Sequence, residues 1–281
     1  MRSNSKIGVF DSGVGGLTVL REMCAQLPQE SVIYFGDTAR VPYGNRSKGE
    51  ILRFVREIIA WMMDLDVKMI IMACNTSSAL VLEEVRSEFP IPILGIILPG
   101  ARAAVRSGKK IGVISTQATA DSNAYKQAVL EIDAKAKVWQ VGCQEFVPLI
   151  EGNRIRAPYT LAMAKRYVEP LIVQGIDTLV YGCTHYPHLA PVFQEFLPEC
   201  ITLVDPAKHL TLAAQQELEI LGLSNTSTSS KAQPTEFYVS GDPAQFAQVS
   251  KQWLGYEPEV GKVSVATLEA IHATSSQSAE R

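Results

Sequence analysis

Two short segments, Ala73-Cys74-Asn75-Thr76-Ser77 and Gly182-Cys183-Thr184-His185-Tyr186, each follow an apolar β-like run and each set one cysteine at the strand's C-terminal end. The chemistry on offer is that of the thiol. A helix amino terminus draws a thiol's pKa down from its free value of about 8.5 and makes thiolate accessible near neutral pH. Cys74 is followed by Asn75, Thr76, Ser77 and Ser78, amide and hydroxyl side chains that suit helix capping and equally suit a carboxylate. Cys183 has the same setting, with Thr184 and His185 beside it. A single strand-end cysteine would ordinarily be a small buried residue; two in matched settings point to function. Cys24, Cys143 and Cys200 lack such a setting and read as structural.

His185 is one of four histidines, and lies two residues from a thiol whose proton transfers it could assist. A satisfied core histidine or a helix cap is the alternative. Cys183-x-His185-x-x-His188 also offers three metal ligands, but a second ligand pair at structural-zinc spacing is missing, so no metal is expected. The run Asp11-Ser12-Gly13-Val14-Gly15-Gly16-Leu17-Thr18 has the strand-glycine-helix order of a phosphate cradle. It lacks Gly-Lys-Ser/Thr, and Thr18 stands where a dinucleotide loop has its last glycine. The run does supply a strand-end carboxylate, Asp11, able to cap the next helix, accept from a substrate ammonium or influence a thiol. The loop Asp37-Thr38-Ala39-Arg40-Val41-Pro42-Tyr43-Gly44 reads by composition as a surface turn.

These residues need elements to hold them. Short β-rich runs at 6–10, 32–35, 68–73, 93–96, 110–115, 137–141, 177–181, 201–204 and 236–240 alternate with helical stretches at 16–26, 48–65, 77–88, 100–107, 121–131, 159–173 and 187–196. Strands apolar on both faces, alternating with helices, imply an α/β fold with parallel sheets covered on both sides. Lys6-Ile7-Gly8-Val9-Phe10-Asp11-Ser12 is echoed by Lys110-Ile111-Gly112-Val113-Ile114-Ser115-Thr116, and residues 69–74 are echoed by 178–183. Two similar lobes follow: residues 1–96 with 209–281, and residues 97–208. Residues 209–281 carry a helix pattern, a polar tract from 224 to 235 and a late strand, too little for a third domain, and are expected to pack back on the first lobe. The polar stretch 273–281 is expected to fray. In open α/β sheets ligands bind beyond the carboxyl ends of strands. Both cysteines sit there, as do Asp11, Ser12, Thr116 and Thr119. Lobes facing each other about a pseudo-twofold axis would bring the thiols together across a cleft.

Composition narrows the class. The chain of 281 residues is 47% apolar and 20% charged, with a formal net charge of −3 spread along it and no basic stripe for a phosphate backbone. Nucleic acid is not expected as a primary partner. No run is long and apolar enough to span a bilayer, and the amino terminus enters a strand directly, so the expected location is the cytoplasm. Five widely spaced cysteines in such a chain are expected to be reduced.

Phe10-Asp11-Ser12-Gly13-Val14-Gly15-Gly16-Leu17, Asp37-x-x-x-x-Pro42-Tyr43-Gly44, Ala73-Cys74-Asn75-Thr76 and Gly182-Cys183-Thr184-His185-Tyr186-Pro187, in that order and spacing, closely resemble the glutamate racemases, within the aspartate/glutamate racemase superfamily. The resemblance runs from about residue 7 to 208 and fades from 224 onward. It implies a cofactor-independent isomerase that interconverts L- and D-glutamate through two cysteines. One removes the α-proton on one face; the other returns a proton on the opposite face. Motif matching gives Cys74 and Cys183 those roles, with Asp11, His185 and Glu151 assisting. Ser12, Pro42, Tyr43, Gly44, Asn75, Thr76 and Thr184 match substrate-binding positions, to which Asp11 and His185 also contribute, and Thr116 and Thr119 are weaker carry-overs. His188 departs from the pattern, standing where the family has an aliphatic residue. A homodimer and a role in supplying D-glutamate for peptidoglycan are implied by resemblance alone. Competing readings are a sister racemase or isomerase acting on aspartate, a hydantoin or maleate, and a non-enzymatic amino-acid-binding protein. A thiol-disulfide oxidoreductase would want its cysteines close in sequence, and these are not.

Overall fold

The computed structural model describes residues 2–226 and 234–279. Ten strands run along them: β1 (Ile7–Asp11), β2 (Val32–Gly36), β3 (Met69–Met72), β4 (Ile93–Gly95), β5 (Lys110–Ser115), β6 (Lys137–Gly142), β7 (Thr178–Gly182), β8 (Thr202–Val204), β9 (Thr235–Val239) and β10 (Val260–Lys262). Six form one sheet in the order β10-β9-β2-β1-β3-β4, and four form a second in the order β6-β5-β7-β8. Every pairing is parallel. The sequence echo is therefore a topological one. Strands β2-β1-β3-β4 and β6-β5-β7-β8 repeat the same order, with the echoed strands β1 and β5 each flanked on both sides.

The helices are α1 (Leu17–Gln26), α2 (Lys48–Asp64), α3 (Asn75–Glu88), α4 (Ile97–Ser107), α5 (Gln117–Ser122), α6 (Ala124–Ile132), α7 (Phe146–Glu151), α8 (Pro158–Val173), α9 (Ala190–Gln194), α10 (Pro206–Ile220), α11 (Pro243–Leu254) and α12 (Val265–Ala279). Single 3₁₀ turns stand at Tyr43–Asn45 and Tyr186–Leu189. Alternate strand residues explain the layers. Ile7 and Val9 of β1, Val32 and Tyr34 of β2, Ile111 and Val113 of β5 and Val180 of β7 share one core with residues of α1, α4 and α10, so the two sheets are joined through a common apolar layer. Phe10, Ile33, Phe35, Ile70 and Met72 face the other way, against α2, α3 and α12. On the far side of the second sheet, Ile114, Leu179 and Tyr181 pack with α7, α8 and α9. Each such side chain, fully buried, contributes about 1.5–3 kcal/mol relative to exposure.

Several expected boundaries move, for local reasons. The helix expected over 77–88 begins at Asn75, immediately after Cys74. The stretch 121–131 is two helices, broken where Asn123 adopts a left-handed backbone with φ of 57°. The stretch 187–196 is a 3₁₀ turn followed by the short α9, with Pro187 and Pro191 each at the start of its own segment. Helix α7 and strand β10 were not expected, and the one helix pattern expected over 209–281 is three helices, α10, α11 and α12. The late strand, β9, pairs with β2 in the first sheet, and the boundary expected at residue 208 falls inside α10. Most of the polar tract at 224–235 lies outside the described residues, and α12 carries helix through Ala279, into the stretch expected to fray.

Candidate active site

The carboxyl ends of β1, β3, β5 and β7 converge on one small cavity of about 50 Å³. Cys74 and Cys183 both line it, one from each sheet. Ser12, Pro42, Tyr43, Gly44, Asn75 and Thr76 join the wall from the first sheet's loops, and Thr116, Thr184 and His185 from the second's. Asp11, Thr119 and Glu151 stand behind that wall, reaching it through hydrogen bonds rather than lining it.

Asp11 ties the glycine loop to the Cys183 turn. One carboxylate oxygen accepts from the Thr184 hydroxyl at 3.1 Å and the other from the Gly13 amide at 3.0 Å. Full burial pushes its pKa up, against the opposing pull of His185, the Gly13 and Gly16 amides and Thr184. Cys74 is likewise buried. Its thiol is pushed up to about 12, first by burial, then by Asp11 and Cys183, with the Ser77 amide and hydroxyl only partly offsetting them. The expectation that a helix start makes this thiol a thiolate near neutrality is therefore corrected: desolvation beside a carboxylate outweighs the first-turn amides.

The second turn is built differently. His185 places Nδ1 3.8 Å from the Cys183 sulfur and Nε2 2.7 Å from Glu151 Oε1. Burial opposes a charge on the imidazole, yet Cys183 and Glu151 outweigh it and hold its pKa well above the ordinary value. Burial also works against the Glu151 carboxylate, and its bond to His185 and the attraction behind it win, drawing its pKa down. Cys183 lies three residues before a 3₁₀ turn that His185 caps, whereas Cys74 caps an α-helix directly, so the two settings do not match as the sequence suggested.

The glycine run packs against this turn. A Cβ at Gly15 would lie 2.3 Å from His185 Nδ1 and 2.5 Å from Thr184 Oγ1, so only glycine lets the loop close here. That close approach accounts for the run without a phosphate. The Pro42-Tyr43-Gly44 loop is also no surface turn. Tyr43 is buried, its hydroxyl donating to Asp37, and buried Arg40 bridges Asp37 and Glu57 beneath it. Across the cavity, Thr76 and Thr116 hydroxyls lie 2.9 Å apart, and Thr119 completes the cluster at 2.9 Å from Thr116.

Sequence reasoning left out Asn45, Gln117, Cys143, Gln144, Val147 and Pro148, which complete the wall. Cys143, read as structural, follows β6 as Cys183 follows β7, and that strand-end position was the signal available. The other two set aside, Cys24 and Cys200, are exposed, and all five cysteines are free. His188 turns away from the thiol: its ring stacks on Trp253 at 3.4 Å, and burial, His185 and Arg21 lower its pKa to about 3. Among the described residues no group of three or more Cys, His, Asp or Glu is placed to hold a metal ion.

The model of the Asp/Glu/Hydantoin racemase family matches residues 7–214. The chain belongs to that family. Within it, the chain is 64% identical over 267 residues to the glutamate racemase of Rippkaea orientalis, covering 94% of each chain. Among solved structures of the family, the glutamate racemase isoform of Bacillus anthracis superimposes with a TM-score of 0.88 at 36% identity, over 94% of this chain and 99% of that one. The Francisella tularensis glutamate racemase, solved in complex with D-glutamate, gives a TM-score of 0.87 at 34% identity, over 95% and 99%. The two parallel sheets flanked by helices are thus the racemase fold.

Proposed function

We propose that this chain is a glutamate racemase, an isomerase that inverts the α-carbon of glutamate by two-thiol proton transfer without a cofactor. The observation that carries the reading is two thiols on one buried cavity, each at the end of an equivalent strand of a duplicated fold. Substrate and product are mirror images, so a base that takes the proton from one face must be answered by an acid on the other. Cys74 and Cys183 alternate in those roles according to the enantiomer bound. The names of relatives at 64% identity support glutamate as the substrate.

The two turns would manage the proton in different ways. A Cys74 thiol at about 12 is a weak source of thiolate at neutral pH. The substrate's own ammonium, a cation entering a low-dielectric cavity, favours the thiolate, and Asp11 behind it takes up charge or proton in turn. His185 holds a proton that it can lend to Cys183, and Glu151 keeps that proton in place. The α-carboxylate, whose negative charge grows in the transition state, meets first-turn amides of α3 and the hydroxyls of Thr76, Thr116 and Thr184. Ser12, Pro42, Tyr43 and Gly44 shape the pocket for the remainder of the substrate, and Thr119 braces Thr76 and Thr116.

We assign residues 1–96 with 209–281 to one lobe and 97–208 to the other, acting as a cytoplasmic homodimer that supplies D-glutamate for peptidoglycan. The family resemblance supports these assignments, and no described helix is long and apolar enough to cross a membrane. The test of substrate is optical rotation of L-glutamate and, separately, L-aspartate with the purified chain and no added cofactor. Loss of rotation with glutamate is expected; loss with aspartate alone would overturn the assignment.

A further inference from the structure

Asn75 is the residue after Cys74 and its carboxamide has two unlike ends. The Oδ1 end accepts from the Tyr125 hydroxyl at 2.7 Å. The Nδ2 end is buried and has no hydrogen-bond partner among the described residues, on a residue that lines the cavity. An unmet buried amide donor costs about 1–3 kcal/mol, so its persistence points to a ligand acceptor that meets it.

Tyr125 is built to make that orientation the only good one. It lies in α6, fully buried, across the cavity wall from α3. Its ring is seated against α4 at Gly100, where a Cβ would come within 3.2 Å of the ring and 3.0 Å of Pro206. Burial, with Asp205 and Cys183 nearby, keeps the phenol protonated. Asn75 is the one hydrogen-bond partner of that hydroxyl among the described residues. A flip of the carboxamide would leave the phenol proton without an acceptor and turn Oδ1, with its lone pairs, toward the cavity, where it would repel an anion.

We propose that Tyr125 is a positioning residue: its hydroxyl locks the Asn75 carboxamide with the NH₂ toward the cavity, as a fixed donor for a substrate carboxylate. The proposal rests on the glutamate reading for the identity of that carboxylate, while the lock itself is a property of the protein. It also ties the lobes together at the point of binding, since donor and acceptor come from α6 and α3.

Steady-state kinetics of Tyr125→Phe test it, because that change removes one oxygen and keeps the ring. KM for L-glutamate is expected to rise about tenfold, in line with a hydrogen bond to a charged group losing its preset donor, while kcat changes less than about threefold. In an Asn75→Ala background the same substitution is expected to add no further rise in KM. An unchanged KM, or an equal rise in the Asn75→Ala background, would overturn the proposal and leave Tyr125 a packing residue. Neutron diffraction from the deuterium-exchanged protein without substrate reads the lock independently of turnover. The phenol deuteron is expected on the line to Oδ1; a deuteron pointing elsewhere, or an amide deuteron directed at the phenol oxygen, would contradict it even if glutamate is the substrate. Should the wild type not turn over glutamate, the substrate reading falls, and the neutron result still decides the lock.

Discussion

The turn after β3 and the turn after β7 occupy equivalent places in a duplicated fold, yet they treat their sulfurs in opposite ways. Cys74 opens a true α-helix and is surrounded by small neutral groups with one buried carboxylate, Asp11, behind them. Cys183 stands in a bend ahead of a short 3₁₀ turn and faces an imidazole that Glu151 keeps protonated. One thiol is governed by desolvation and a negative neighbour; the other has a positive neighbour on call. The lesson is that a duplicated scaffold can fix where two acid-base groups stand without fixing how each is tuned. A reaction whose two sides are mirror images needs matched positions, and it tolerates unmatched chemistry.

The largest effect expected on that comparison is from the sulfurs themselves. Cys74→Ser and Cys183→Ser should each lower racemisation by about a thousandfold or more, since a serine hydroxyl is a far weaker base at the same place. Polarimetry of both variants checks it, and near-wild-type turnover in either would sink the two-thiol mechanism.

Next in size is Glu151→Gln, which should lower kcat/KM on the order of tenfold to a hundredfold by weakening a charge-assisted bond to His185. The sign of its pH effect is fixed. Glu151 raises the pKa of His185, so its loss lets the imidazole give up its proton at lower pH. The stability contributed by the pair is present in full below the ordinary histidine pKa of about 6.5 and is lost as pH climbs through the raised value. The alkaline limb of the rate profile should move to lower pH in the variant, and an unmoved limb would mean that His185 is not the group titrating.

Asp11→Asn probes the other turn. Removing a neighbouring negative charge should bring the Cys74 pKa down from about 12, toward the free value near 8.5, and raise its alkylation rate at pH 8 while racemisation falls. Iodoacetamide kinetics on a background with Cys24, Cys143, Cys183 and Cys200 all changed to Ser isolate that sulfur; a slower reaction would show that Asp11 does not hold the thiol protonated. The smallest effect belongs to His188→Leu. A neutral ring stacked on Trp253 replaced by an aliphatic group should change stability by about 1 kcal/mol or less, read as a shift of a few degrees in Tm.

Much of this architecture was legible in the order of residues. Strands buried on both faces are continuous apolar runs, so nine of the ten were found, and the echo of β1 in β5 foretold the repeated strand order. What escaped was mostly short or dependent on contacts from far along the chain, apart from the region after residue 208, where one helix pattern was expected and three helices form. Strand β10 has three residues with Gly261 at its centre, and β9 alone pairs with it. Helix α7 carries Pro148 within a single turn and a half, which reads as a break. Eleven residues of the cavity wall were named in advance: the cysteine turns stood out locally as chemistry-bearing types at strand ends, while Pro42, Tyr43 and Gly44 came only through the family resemblance. The charge state of Cys74 was not, since it is set by burial and by Asp11, sixty-odd residues away in sequence and adjacent only once β1 and β3 pair. Cys143 was missed because its strand-end position after β6 stood alone, with no cluster of hydroxyl, amide or imidazole side chains following it as at Cys74 and Cys183.

The central claim is that two different sulfurs handle the leaving and the arriving proton. Racemisation of L-glutamate in deuterium oxide, stopped at a few per cent conversion and analysed by mass and enantiomer, tests it most directly. The D-glutamate formed should carry one solvent deuterium at the α-carbon from the first turnovers, while the unreacted L-glutamate keeps its protium. D-glutamate that retains the original α-protium would mean one group carries the proton across both faces, and would contradict the account.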